Sequence, residues 1–132
     1  MISIVGGAGF VGTRLAALLK KENVKFGIYD IDCNNPEGQA IYLNVEDRDS
    51  LDQLVGTASI INLAAVHRDD IRPLSRYDDV NVKGATNVCE VARKHGINKI
   101  VFTSSVAIYG FAPADTDESG EPNYFNDYGR TK

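Results

Sequence analysis

The sequence predicts an α/β fold: a doubly wound parallel sheet with the strand order 3-2-1-4-5. Five short apolar runs alternate with helical patterns along the 132 residues, as a parallel sheet covered by helices on both faces requires. The first run ends in a glycine-rich turn that opens a helix. Right-handed crossovers then place later strands on both sides of the first one. The length is that of one domain.

The first half of the chain contains three of the strands. Ile2 to Val5 is a buried-type strand, and a helix is predicted from Phe10 to Glu22. Phe26 to Asp30 and Ala40 to Leu43 are the second and third strands, and Asp47 is a plausible N-cap for a short helix through Leu54. The residues predicted on the inner face of the first helix are Phe10, Val11, Leu15, Leu18 and Leu19.

The second half completes the alternation. Ser59 to Leu63 is the fourth strand, and a long helix follows from about Ser75 to His95, with Gly96 where a left-handed C-cap belongs. Lys99 to Thr103 is the fifth strand, and Gly110 to Asp127 reads as a long loop. The predicted inner face of the long helix carries Tyr77, Val80, Ala85, Val88, Val91 and Ala92.

Composition excludes several classes of partner. The net charge is -4 and no dense run of lysine and arginine occurs, which argues against nucleic-acid and membrane partners. Cys33 and Cys89 lie far apart, without the spacing of a metal site, so we expect no metal and reduced thiols. The N-terminus has no basic region followed by a long apolar stretch. We therefore expect a soluble cytoplasmic protein.

The glycine-rich turn predicts a dinucleotide site. Gly7 to Gly12 fits G-x-G-x-x-G, and Gly6, Gly9 and Gly12 also recur at a spacing of three. Such glycines make a tight turn and let backbone amides approach a pyrophosphate at the helix N-terminus. Asp30 ends the second strand eighteen residues after Gly12, where a carboxylate can bind ribose hydroxyls and disfavour the 2′-phosphate of NADP. A purely steric glycine turn is the alternative.

Tyr128 and Lys132 stand four residues apart. On a helix this spacing puts a phenol and an ammonium on the same face, one turn from each other. The pair can transfer a proton, or it can be two solvated side chains on a fraying tail. A single helical turn does not nucleate itself, so we expect the pair to be loosely held.

These motifs together resemble the extended short-chain dehydrogenase/reductases, the family of NAD-dependent nucleotide-sugar epimerases and dehydratases with a Rossmann fold. VGGAGFVG resembles the family's opening T-G-G-A-G-F-I-G, with Val5 in place of the threonine. The later matches are Leu63-Ala64-Ala65, Asn81-Val82-x-Gly84, Ser104-Ser105 with Tyr109-Gly110, and Tyr128-x-x-x-Lys132. Ala85 replaces a family threonine, and Asn44 stands where the family more often has an aspartate.

The resemblance implies a set of site residues. Ser105, Tyr128 and Lys132 would be catalytic: Tyr128 removes a sugar hydroxyl proton, Ser105 holds the oxygen, and Lys132 also binds the nicotinamide ribose. NAD is the implied cofactor. Its implied contacts are Gly6, Gly9, Phe10, Val11, Gly12, Asp30, Asn44, Val45, Leu63, Ala64, Ala65, Asn81, Tyr128 and Lys132.

Several of these residues have a plainer interpretation. Leu63 to Ala65 can be a strand end built from small residues, and Asn44 a turn residue. Asn81 can tie down a loop, because a buried amide must find partners. Ser105 can be an ordinary hydroxyl at a strand end. The loop from His67 to Asp70 either contacts a sugar or diphosphate or is simply solvated.

The sequence leaves two functional classes open. The first is an NAD-dependent enzyme acting on a nucleotide sugar, as an epimerase, dehydratase or reductase; the second is a non-catalytic NAD-binding module or sensor. In the resembled family a further stretch, longer than this chain, supplies the substrate-binding part. We therefore expect residues 1–132 to be the NAD-binding domain, to lack that part and to bind NAD without turnover. A homodimer is possible.

Overall fold

A parallel five-stranded sheet forms the centre of the protein. The computed structural model describes residues 1–34, 36 and 40–132. The strands are β1 (Ile2–Val5), β2 (Phe26–Asp30), β3 (Ile41–Tyr42), β4 (Ser59–Asn62) and β5 (Ile100–Phe102). They lie in the order β3-β2-β1-β4-β5. Ile4 in β1 pairs with Ile28 on one side and Ile61 on the other. The predicted fold class and strand order are confirmed.

Among the described residues, helices lie between β1 and β2, between β3 and β4, between β4 and β5, and after β5. They are α1 (Phe10–Lys21), α2 (Arg48–Leu51), α3 (Ser75–Tyr77), α4 (Ala85–Lys94) and α5 (Asp127–Arg130). Single 3₁₀ turns span Asp52–Leu54 and Val106–Ile108, and a π-helical segment, Asp78–Gly84, joins α3 to α4. The predicted long helix is therefore present with a wider segment in its first half, for which the sequence gives no signal. Within the described residues, no helix has the length and apolar character needed to cross a bilayer.

Two predicted helix termini are confirmed. The Asp47 carboxylate accepts a hydrogen bond from the Asp49 amide at 3.1 Å and so caps α2. Gly96 follows α4 with φ +68°, the left-handed conformation that glycine adopts without a Cβ clash. Strands β3 and β5 are shorter than the apolar runs that predicted them.

Apolar side chains pack on both faces of the sheet. Alternate residues of β1 serve opposite faces: Val5 packs toward α2 and α4, whereas Ile4 packs toward α1. The predicted inner face of the long helix is confirmed, since Tyr77, Val88 and Val91 are buried. The larger core contains Val5, Tyr29, Leu43, Val45, Leu51, Leu54, Ile60, Val88, Val91, Ala92 and Ile97.

The predicted inner face of α1 is partly wrong. Phe10, Val11 and Leu18 are 72%, 55% and 53% exposed, and the buried positions are Gly12 and Ala16. Gly12 lies against the backbone of the glycine turn, where a Cβ would overlap it. This contact sets the rotation of the helix about its axis, so Gly12 and Ala16 face the sheet. Leu15 and Leu19 still pack against the core, as predicted.

Candidate functional site

A cleft of about 810 Å³ lies along the carboxyl ends of the strands. In a doubly wound sheet this is the edge where ligands bind, because the strand order reverses there. All the predicted cofactor contacts except Asn81 line it: Gly6, Gly9, Phe10, Val11, Gly12, Asp30, Asn44, Val45, Leu63, Ala64, Ala65, Tyr128 and Lys132. The structure thus brings residues from distant parts of the sequence to one surface.

The glycine turn follows β1 and is held tightly between β2 and the segment after β4. The amides of Gly6 and Gly7 both donate to the Tyr29 carbonyl, at 2.8 and 3.2 Å. Gly6 has φ +76°, and a Cβ there would lie 2.5 Å from the Ala64 nitrogen. A side chain at Gly6 is therefore excluded both by the backbone conformation and by the close approach of the β4 end.

The N-terminus of α1 opens into the cleft. Gly9 is the N-cap and provides no side-chain hydrogen bond, and the first turn carries no acidic residue. A Cβ built on Gly9 would find its nearest neighbour, the Gly6 carbonyl oxygen, only at 3.5 Å. Helix amides and the positive end of the helix dipole therefore face space that a side chain could fill, which suits an anion.

Asp30 supports the glycine turn from the end of β2. One carboxylate oxygen accepts a hydrogen bond from the Ala8 amide at 2.8 Å, and the other accepts from the Asp32 amide at 3.0 Å. A carboxylate offers about four acceptor positions, so both oxygens keep capacity for the hydroxyl groups of a ligand. The carboxylate thus links the turn to the wall of the cleft.

The loop after β3 forms one end of the cleft. The Asn44 side-chain oxygen accepts a hydrogen bond from the Glu46 amide at 3.0 Å, and its backbone amide donates to the Ser50 hydroxyl at 2.8 Å. Asn44 is therefore a turn residue, the plainer of its two interpretations, and it also lines the cleft. Val45 is buried and packs against Gly84, where a larger residue would collide with it.

Tyr128 and Lys132 line the opposite end of the cleft and are half-buried. The Lys132 ammonium lies 4.4 Å from the ring centroid of Phe102, a cation–π contact. Burial lowers the pKa of Lys132 from its ordinary value. A phenol and an ammonium at one surface can exchange protons with a bound hydroxyl group.

Ser105 differs from the other predicted catalytic residues, because it does not line the cleft. Its hydroxyl oxygen accepts a hydrogen bond from the Ala107 amide at 3.2 Å and caps the 3₁₀ turn that follows. The neighbouring Ser104 does line the cleft, and its hydroxyl donates to the Lys132 carbonyl at 3.3 Å. The catalytic role of Ser105 stays a prediction, and the structure presents Ser104 as the serine facing the cleft.

The expectation that the Tyr128 and Lys132 pair is loosely held is wrong. Asn126 caps α5 by accepting a hydrogen bond from the Gly129 amide at 2.8 Å, and it donates to Asp69 at 2.9 Å. Arg130 makes two hydrogen bonds to Asp78, at 2.9 and 2.7 Å. Tertiary contacts therefore stabilise a helix too short to be stable by itself.

The ion pair between Arg130 and Asp78 changes the titration of both groups. The guanidinium lowers the pKa of the Asp78 carboxyl, mainly through the hydrogen bond between them, and Asp78 and Asp127 raise the pKa of Arg130. Bidentate pairs of this kind fix geometry as well as contributing energy. Arg130 thereby orients the turn of helix that presents Tyr128.

Asn81 connects the wall of the cleft to α5. Its side-chain oxygen accepts from the Val66 amide at 2.7 Å, and its nitrogen donates to the Val66 carbonyl and to the Thr131 hydroxyl, both at 2.9 Å. Asn81 and Thr131 are buried. The side chain faces the protein interior rather than the cleft, so the contacts match the interpretation of Asn81 as a residue that ties down a loop.

The loop after β4 presents His67 to the cleft. Both neighbours of His67 are fixed: Asn81 holds the Val66 backbone, and the Tyr77 hydroxyl donates to the Arg68 carbonyl. Arg68 pairs with Asp70 and does not line the cleft. Of the two residues that the sequence left undecided, His67 is the one positioned to contact a ligand.

Other lining residues were not predicted from the sequence. They are Val5, Ala8, Ile31, Asp32, Leu43, Glu46, Val66, Arg76, Val80, Thr103 and Ser104. Several are immediate neighbours of predicted residues, and that adjacency could have indicated them. Arg76 and Glu46 are 30 positions apart in sequence and pair only in the folded chain, so no local pattern could have identified the pair.

Comparison with known proteins gives consistent matches over the whole chain. The family model described as "NAD dependent epimerase/dehydratase family" matches residues 2–132. The chain is 42% identical to an N-acetyl-alpha-D-glucosaminyl-diphospho-ditrans,octacis-undecaprenol 4-epimerase of Escherichia coli O157:H7, over 99% of this chain and 40% of that protein. It is 35% identical to a putative UDP-glucose 4-epimerase of Methanocaldococcus jannaschii, over 100% of this chain and 47% of that protein.

Solved structures support the same fold. A UDP-glucose 4-epimerase from Brucella ovis in complex with NAD superposes with a TM-score of 0.86 at 25% identity, covering 98% of this chain and 43% of that one. The UDP-glucose 4-epimerase of Thermus thermophilus in complex with NAD gives a TM-score of 0.87 at 21% identity, covering 99% and 47%. The chain thus spans less than half the length of the relatives cited here.

Proposed function

The chain belongs to the NAD dependent epimerase/dehydratase family, and on that premise we propose that it forms the NAD-binding part of an enzyme acting on a sugar diphosphate. The reaction we favour is epimerisation. One observation carries the proposal: the glycine turn and the Tyr128 and Lys132 pair line the same cleft. A site for a dinucleotide and a site for proton transfer therefore adjoin each other.

The residues of the cleft fit the cofactor. The uncapped N-terminus of α1 and the open space beside Gly9 suit the pyrophosphate. Asp30 keeps acceptor capacity for the adenosine ribose, which favours NAD over NADP. Asn44 and Val45 line the adenine end, and Leu63 to Ala65 continue the wall toward Tyr128. We propose this as the domain role of residues 1–132.

Proton transfer would take place at the other end of the cleft, beside Tyr128 and Lys132. When bound, NAD supplies a hydride acceptor and, later, a hydride donor for the sugar carbon. The Lys132 ammonium would stabilise the phenolate form of Tyr128. That phenolate is placed to take the proton of the sugar hydroxyl, and Tyr128 becomes a neutral phenol. Ser104 or Ser105 would hold the sugar oxygen. The fixed α5 keeps these groups in register with the cofactor cleft.

The substrate we propose is a nucleotide sugar or a closely related sugar diphosphate. The names of the relatives support this: several are UDP-glucose 4-epimerases, and the one at 42% identity is named for a sugar diphosphate carried on undecaprenol. Both substrate types share a hexose on a diphosphate. Assays with UDP-glucose, UDP-N-acetylglucosamine and a polyprenol-linked N-acetylglucosamine diphosphate distinguish the two carriers.

The decisive experiment compares Tyr128→Phe with Tyr124→Phe in the full-length protein. General acid–base catalysis contributes roughly 10² to 10⁴ in rate, so Tyr128→Phe should lose turnover by about that factor and keep NAD binding. Tyr124 is half exposed and does not line the cleft, so its variant should retain activity. Full activity of Tyr128→Phe would refute the mechanism. A C4-inverted product would identify an epimerase, and a dehydrated keto sugar a dehydratase.

A non-catalytic NAD-binding module is the second candidate. The observation that favours it for residues 1–132 is that the chain spans only 40% and 47% of two curated relatives. We expect these residues alone to bind NAD without turnover. Calorimetric titration of NAD and NADP, together with a product assay, tests this. A measurable epimerase or dehydratase rate from residues 1–132 would contradict it.

We further propose a cytoplasmic homodimer. Both cysteines are free thiols, as expected in a reducing compartment. The outer side of the helix from Asp78 to Lys94 carries Val82, an apolar side chain that is 44% exposed, and we propose this side as the contact between subunits. Light scattering on the full-length protein tests the oligomeric state. A monomer at micromolar concentration would refute the dimer.

A further inference from the structure

An ion pair lines the cleft. The Arg76 guanidinium makes two hydrogen bonds to the Glu46 carboxylate, at 2.6 and 2.8 Å. Glu46 lies in the loop after β3, whereas Arg76 lies in α3, so the pair joins two segments that are 30 positions apart in sequence. Both side chains are partly exposed, Arg76 by 38% and Glu46 by 29%, and both line the cleft.

The position of the pair places it at the adenine end of the proposed cofactor site. With the pyrophosphate at α1 and the ribose at Asp30, the base extends toward β3. The Glu46 amide is bonded to the Asn44 side chain, and Val80, one turn after Arg76, lines the same wall. Arg76 therefore faces the space beside Asn44 that remains for a flat ring.

Glu46 also borders a second cavity. This cavity of about 480 Å³ adjoins the cleft, and Glu46 lines both. The residues around the second cavity are Glu46, Arg48, Asp79, Lys83, Thr86 and Asn87. Both carboxylate oxygens of Glu46 accept a hydrogen bond from the Arg76 guanidinium, and this two-point contact fixes the plane of the guanidinium. A guanidinium held in one plane can stack on an aromatic ring with little further loss of entropy.

We propose that Arg76, oriented by Glu46, contacts the adenine ring and closes that end of the cleft as a specificity-determining residue. The inference rests on the proposed function, because it assumes that NAD is the ligand of this cleft. It goes beyond that function by assigning base recognition to an ion pair that sequence motifs do not mark. Glu46 is a positioning residue that acts through Arg76.

Binding of cofactor fragments tests the assignment. Dissociation constants for NAD, AMP and nicotinamide mononucleotide are measured by calorimetry on the protein and on Arg76→Met, Arg76→Lys and Glu46→Gln. Arg76→Met should weaken the binding of AMP and of NAD by the same factor, roughly three- to tenfold. The affinity for nicotinamide mononucleotide should change by no more than about twofold. Arg76→Lys keeps the charge but lacks the planar face, so its loss should be similar. Glu46→Gln should weaken AMP by a smaller factor.

Arg48→Met is the matched control. Arg48 is also an exposed arginine paired with a glutamate, Glu90, and it does not line the cleft. This variant should bind all three ligands normally. Melting temperatures without ligand show whether each variant is folded; if Arg76→Met is too unstable to titrate, Arg76→Lys carries the test.

Three results would overturn the inference. The first is an AMP affinity that Arg76→Met leaves unchanged, and the second is an equal loss for AMP and nicotinamide mononucleotide, which indicates a structural role. The third is full affinity in Arg76→Lys, since charge alone would then suffice. If the unsubstituted protein binds neither AMP nor NAD, the cofactor proposal fails and this inference fails with it.

Discussion

Removing the Asn81 side chain should destabilise the protein more than its size suggests. In Asn81→Ala, the amide and the carbonyl of Val66 both lose their hydrogen-bond partner, and the Thr131 hydroxyl loses a donor. Asn81 is 3% exposed, so water replaces these bonds poorly. An unsatisfied buried polar group costs about 1–3 kcal/mol. With two backbone groups affected, we expect the free energy of unfolding to fall by about 2–4 kcal/mol.

The assay is urea denaturation followed by circular dichroism, with Asn87→Ala as the control. Asn87 lies on the same long helix and donates a hydrogen bond to the Val45 carbonyl at 3.0 Å. Only one backbone group depends on that bond, so the control should lose about 1 kcal/mol or less. A drop of about 2–4 kcal/mol is a large part of the 5–15 kcal/mol typical of a domain.

Two further variants separate the contributions. Asn81→Asp keeps an acceptor for the Val66 amide but faces the Val66 carbonyl with a second oxygen, so it should be nearly as destabilising as Asn81→Ala. A double-mutant cycle with Thr131→Val should give a coupling of at least about 0.5 kcal/mol. The reasoning is refuted if Asn81→Ala costs no more than Asn87→Ala, or if the coupling to Thr131 is absent.

Further predictions concern the turn, the acidic residue after β2 and the support of α5. Gly9→Ala should keep the melting temperature of the protein but weaken NAD binding at least about tenfold, because the added methyl group enters the cleft. Gly12→Ala should instead lower the melting temperature, because its Cβ overlaps the glycine turn. Equal melting temperatures for the two variants would contradict this. Asp30→Asn should weaken NAD binding about tenfold and reduce the preference for NAD over NADP, which titration with both dinucleotides measures. An unchanged ratio of the two dissociation constants would argue against a contact between Asp30 and the ribose. The lowered pKa of Asp78 means that its pair with Arg130 stabilises the fold fully above the ordinary carboxyl pKa of 3.8, and that this contribution is lost as the pH falls through the lowered value. The stability difference between Asp78→Asn and the unsubstituted protein should therefore shrink between pH 7 and pH 3, and a difference independent of pH would exclude the pair as its cause.

The sequence alone predicted the strand order and the position of the glycine turn and Asp30 at the carboxyl ends of the strands. Both depend on local signals: an apolar run of strand length, a glycine turn directly after it and an acidic residue at the end of the next strand. Within one β-α-β unit the chain geometry leaves few alternatives. Gly6, Gly9, Gly12 and Asp30 could therefore be placed before any contact was known, and they lie together at the cleft; their role in binding a cofactor stays a prediction.

The tertiary structure decided the features that depend on residues far apart in sequence. The rotation of α1 follows from contact between Gly12 and the glycine turn, so Phe10 and Leu18 are exposed despite their helical spacing. The firmness of α5 comes from Arg130 and Asp78, which are 52 positions apart. Side-chain contacts of this kind form only when the elements pack, because each partner alone is an ordinary solvated residue. For that reason the sequence could name Tyr128 and Lys132, and only the fold could show that the turn of helix carrying them is held in place.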